Sequence, residues 1–114
     1  MPSASDWEAD WRHFVQTSVP GRIRQPGMYL DLQAAEASLN WLADHRIGVL
    51  GVEGFEWLDD NSVRPSLSHI ADWSALWTHA NAFEESLRET RALLTKWTGQ
   101  IDLVDLALQP AAVA

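Results

Sequence analysis

The chain contains no cysteine. Disulfides, thiolate metal sites and cysteine nucleophiles are thereby excluded, and the absence suits a reducing compartment. Basic residues are scarce as well: eight Lys and Arg stand against sixteen Asp and Glu, a formal charge of −8. Such a field repels phosphate backbones, so nucleic-acid binding through a basic surface is not expected. No apolar run approaches the roughly 18 residues of a membrane span. The opening MPSASDWEAD carries acids where a secretory signal needs bases. A cytoplasmic protein with no membrane contact is the expectation. What the chain does have is tryptophan, seven in 114 residues against one Tyr and three Phe. An indole buries a large apolar area but leaves an N–H that needs a partner. About five of the seven are expected in the core, and the remainder suit an interface, where one wet end is tolerated.

The length allows one hydrophobic core, placed at residues 1–110 with 111–114 as a loose tail. Ser5-Asp6-Trp7-Glu8 reads as a capping box opening a first helix, with Trp7, Trp11, Phe14 and Val15 on its inner face. Pro20-Gly21 ends it, and a loop with Arg22 and Arg24 follows to Pro26-Gly27. Asp31 is placed to cap a second helix whose stripe is Leu32, Ala35, Leu39 and Leu42, with His45 and Arg46 near its end. The run IGVLGVEGFEWL, the turn DDNS and the return VRPSLSHIAD then predict a β-hairpin. Pro65 has no N–H to give a ladder, which makes the return strand an edge and a possible seam for a homodimer. Residues 71–79 fit a short helix or a loop. Asn81 is placed to cap a third helix, with Phe83, Leu87, Thr90 and Leu94 inward and Gly99 just past its end. IDLVDLAL, residues 101–108, fits a final strand or a helix, and the preceding Gly stop with β-branched residues favours the strand. The order α-α-β-β-α-β implies an α+β fold: three main helices packed on a small, mainly antiparallel sheet with a central β-hairpin.

No enzyme signature emerges. The four histidines are scattered and none has close metal-ligand spacing, although His69 and Asp72 would share a face if they lay on a helix. Gly48, Gly51 and Gly54 lack the Lys-Ser/Thr ending of a phosphate loop, and no GxSxG elbow occurs. No cofactor and no metal is implied. Glu53 is the one suspicious acid. Strict alternation puts it with Ile47, Val49 and Phe55, where burial would raise its pKa as a general acid or base requires. A bulge at Gly51 or Gly54 would turn it outward, and the three glycines favour that outcome.

A surface reading remains. Glu56, Asp59 and Asp60 surround Trp57 at the hairpin tip, Glu53 lies alongside, and Glu85 and Glu89 supply the outer face of the third helix. An aromatic anchor ringed by carboxylates suits a basic protein partner. The stretch Gly48-Val49-Leu50-Gly51-Val52-Glu53-Gly54-Phe55, with Pro65-x-Leu67-x-x-Ile70-Ala71-Asp72-Trp73-Ser74 after the turn, resembles small acidic bacterial immunity proteins of toxin–immunity systems. The resemblance spans about a third of the chain, preceding helix included. It implies an immunity- or antitoxin-like module that neutralises a basic toxin domain by masking it. The alternative expectation is a small-molecule-binding accessory protein, or a small enzyme, with a Trp-rich pocket containing Glu53.

Overall fold

The computed structural model describes residues 6–18, 23–24, 29–59 and 62–111. The elements are α1 (Asp6–Ser18), β1 (Ile23–Arg24), β2 (Tyr29–Asp31), α2 (Leu32–Asp44), β3 (Ile47–Asp59), β4 (Ser62–Asp72), a short 3₁₀ helix (Ser74–Thr78), α3 (Ala82–Trp97) and β5 (Leu103–Pro110). The strands form one sheet in the order β1-β2-β5-β3-β4, antiparallel at every pairing. The fold is α+β as the patterning predicts, and 101–108 resolves in favour of the strand.

Two short strands, β1 and β2, are additions to the expected order. They are too short for periodicity to reveal, and β2 exists because Leu30, fully buried, pairs with Val104 of β5. Ser5, Arg22, Pro26, Asp60 and Asn61 lie outside the described residues, as do residues 112–114. Ser5 of the capping box, Arg22 of the arginine loop and the turn centre fall there, whereas Arg24 lies in β1.

The helix signals translate locally. The Asp31 carboxylate accepts from the Ala34 N–H at 2.7 Å and starts α2. Its inner stripe, Ala34, Ala35, Leu39 and Leu42, is buried. The helix stops one residue earlier than expected, so His45 is the C-cap and Arg46 takes the left-handed φ of 55° that turns the chain into β3. Asn81 occupies the N-cap of α3 but makes no side-chain capping bond, a correction to the expected cap. The buried stripe of α3 is Ala82, Ser86, Thr90, Leu94 and Trp97, so Phe83 and Leu87 are only half-buried. Gly99, at φ 84°, ends α3 in the left-handed region where a Cβ is penalised.

The core joins Trp11 and Val15 of α1 and the α2 stripe to Leu94 and Trp97 of α3. All of these meet Val49, Val52 and Val104 on one sheet face. Only Trp11 and Trp97 of the seven tryptophans are buried; the other five are half-buried. Two of those five hold their indole N–H groups inside the fold, Trp73 donating to Thr90 Oγ1 and Trp77 to the Val49 carbonyl, both at 3.0 Å. No helix of the described residues is long and apolar enough to cross a membrane.

Candidate functional site: an acidic open sheet face

The direction of Glu53 is decided at Leu50. Val49 pairs with Leu108 of β5, but the next pair is Gly51 with Ala107, so Leu50 is an extra residue bulged from the ladder. One inserted residue inverts the alternation: Val49 and Val52 are both buried, and Glu53 is exposed. Since the helices cover the Val52 face, Glu53 lies on the opposite one.

On that open face the neighbours are fixed by register. Glu53 stands between Ile70 of β4 and Asp105 of β5, and Gly51 stands between Asp72 and Ala107. Together with Leu50, Val52 and Ala71 these residues line a shallow groove of about 320 Å³. Gly51 and Ala107 supply a floor with almost no side chain. Carboxylates occupy three positions around it, and Ile70, 54% exposed, is an apolar wall. At one end the face is closed by Phe55, which packs against the Tyr29 ring at 4.7 Å. No tryptophan lines the groove, so the Trp-rich pocket expected around Glu53 is not what surrounds it.

The electrostatics of this face are self-opposed. No Lys or Arg of the described residues pairs with Glu53 or Asp105. Partial burial, and then the facing Glu53 carboxylate, raise the pKa of Asp105 above the ordinary aspartate value. Asp72 differs. Hydrogen bonds from the Ser74 hydroxyl and backbone N–H, the latter at 2.9 Å to Oδ1, hold its pKa below that value. The groove is shallow, with Glu53 exposed and Asp105 half-buried.

The structure separates the other expected partner-binding residues. Glu56 pairs across the hairpin with Arg64, whose Nε and a terminal nitrogen reach one carboxylate oxygen at 3.1 and 2.9 Å. Trp57 is half-buried and its backbone N–H donates to Asp102 Oδ2 at 2.8 Å, fixing the strand near the tip. Asp59 is exposed at the end of β3, and Asp60 lies outside the described residues. Glu85 lies 3.5 Å from His79, and Glu89 is exposed on α3. Because α3 packs on the Val52 face, Glu85 and Glu89 belong to the other side of the sheet from Glu53.

His69 and Asp72 do not share a face either, because both lie on β4, where residues three apart point oppositely. His69 is structural. Its Nε2 donates to Gln100 Oε1 at 3.0 Å, which leaves Nδ1 to accept from the Ser66 hydroxyl at 2.7 Å. The ring also meets Trp97 edge-on at 5.1 Å. These bonds close an arch in β4. Glu53 pairs with Ile70 and Phe55 with Pro65, so residues 66–69 oppose Gly54 alone. Leu67 stands on that arch, 82% exposed.

Asp105 is the residue that sequence reasoning missed, and Asp72, considered there only as a partner for His69, belongs instead with Glu53 and Asp105. Alternation along β5 would have exposed Asp105, because it shares a face with Leu103 and Ala107, but the strand assignment had to come first. No group of three or more His, Cys, Asp or Glu among the described residues is placed to hold a metal ion. No protein-family model matches the chain, and no curated protein matches it either.

Proposed function

We propose that this chain is a non-enzymatic protein-binding module of the immunity or antitoxin type, which neutralises a basic partner by holding it against the open acidic sheet face. The observation that carries the reading is the Glu53–Asp105 pair. Like charges directly opposite on neighbouring strands oppose folding, and a chain selected for stability alone would place a base at one of the two positions. A Lys or Arg from a partner relieves the repulsion on docking. The binding energy then comes from a defect of the free protein. Ile70 adds apolar contact beside the charges, the arrangement expected of an anchor within a polar rim. The overall charge of −8 steers a basic partner toward the face and speeds encounter.

The test is capture from native lysate on the wild-type chain and on a Glu53→Lys/Asp105→Lys double variant, at low and high salt. A basic protein retained by the wild type, released by salt and ignored by the variant is expected. Association rates measured with that purified partner should fall in each single variant. A partner that is not basic, or rates that neither charge reversal changes, would overturn the proposal.

A further inference from the structure

A second concavity adjoins the groove at Leu50, where β3 begins. The pairing of β4 to β3 starts only at Gly51, so the earlier residues of β3 have an edge with no strand beside it. Other groups satisfy it. The Val49 N–H donates to Ser86 Oγ at 3.0 Å, the Val49 carbonyl accepts from Trp77 Nε1 at 3.0 Å, and the Leu50 carbonyl accepts from the Trp73 N–H at 2.8 Å. These bonds pin Trp77 against the strand. Gly48 is required beneath it, because a Cβ there would come within 2.6 Å of the indole and 2.7 Å of Ser86 Oγ. Trp77 is therefore a rigid wall rather than a mobile ring.

The cleft bounded by this wall measures about 520 Å³, within the range of sites that hold small organic molecules. Phe83 lines it too, and the Arg46 guanidinium lies over the Phe83 ring at 4.9 Å. Among the described residues no carboxylate lies within ion-pairing distance of Arg46, although sixteen acids are present in the chain and Glu84 lines the same cleft. The backbone of the site is fixed as well, since the Arg46 carbonyl accepts from the Ala111 N–H at 2.8 Å. Asn81 and Gln109 add amide groups to the lining. Arg46 holds a left-handed conformation that an arginine backbone disfavours and a glycine would adopt freely.

We infer that this cleft binds a small aromatic carboxylate, its acid group on the Arg46 guanidinium and its ring against Trp77 and Phe83. A guanidinium fork matches a carboxylate in two parallel bonds, and aromatic walls favour a flat apolar body. The cleft borders the acidic groove at Leu50 but presents Arg46 where the groove presents carboxylates, so the two select opposite charges.

The test uses the full chain and 2-naphthoate, followed by NMR of the Trp77 indole N–H and the backbone amides of Arg46 and Phe83. Saturable shifts at those three probes are expected, with dissociation in the region of about 1 mM or tighter. Naphthalene-2-carboxamide, which keeps the ring and lacks the charge, should bind at least about tenfold more weakly. Arg46→Gly should fold at least as well as the wild type, because it suits the turn, yet lose at least about tenfold in affinity for naphthoate. Phe83→Leu, which keeps an apolar wall, should weaken both naphthalene compounds alike. Absence of shifts up to about 10 mM, equal binding of the carboxamide, or undiminished binding by Arg46→Gly would each overturn the inference.

Discussion

Asp105 faces Glu53 directly across the β5–β3 ladder, with no cation of the described residues between or beside them. Partial burial first, and the facing Glu53 carboxylate second, raise the pKa of Asp105, so its ionised form is a local cost to folding.

Removing the charge at Asp105 should stabilise the protein. Asp105→Asn is expected to gain about 0.5 kcal/mol at neutral pH, within the span of cross-strand pair energies, read as a higher urea midpoint with unchanged slope. The pH dependence has a definite sign. A carboxyl whose folded pKa is raised binds its proton more readily when folded, so its penalty is complete above the folded value. The penalty fades as pH falls through that value toward the ordinary aspartate range. The advantage of Asp105→Asn over wild type should therefore shrink over that window. Asp72, shifted the other way, loses its contribution only at still lower pH. An advantage that stays constant from neutral to acidic pH would show that the ionised Asp105 carboxylate is not its source.

Ser86→Ala should be costly despite removing one oxygen atom. Ser86 is fully buried, accepts from the Val49 N–H and donates to the Phe83 carbonyl at 3.0 Å. Its loss leaves a buried backbone N–H without a partner, a cost of about 1–3 kcal/mol. Chemical denaturation measures this, and hydrogen exchange at Val49 should accelerate selectively.

Gly54→Ala should destabilise by about 1–3 kcal/mol, the range for forcing volume into a packed site. A Cβ there would come within 2.7 Å of Ile101 Cδ1 and 2.8 Å of His69 Cβ. The isoleucine tip can rotate, but His69 is held by Ser66 and Gln100 and its Cβ moves only with the backbone. Thermal unfolding gives the cost, and a loss of the His69–Trp97 ring contact should appear in the histidine resonances.

The α+β class, the three main helices and the edge position of β4 were legible because each follows from local patterning and one proline. The outward direction of Glu53 was legible only as a consequence of a bulge, and the glycines marked where one was affordable. The bulged residue itself is Leu50, a strand former that carries no such mark. The groove could not be read at all, because Asp72, Glu53 and Asp105 come from three strands and meet only through register. His69 illustrates the same limit from the other side. Its spacing from Asp72 suggests a pair on a helix, whereas the strand sends it to Gln100, thirty-one positions away.

The arch at residues 66–69 separates what holds the sheet from what faces outward. Because those four residues oppose Gly54 alone, exchanging Leu67 for another side chain shifts no ladder bond and no register elsewhere in β4. An 82% exposed side chain on a braced loop can change in size or polarity without asking the scaffold beneath it to move.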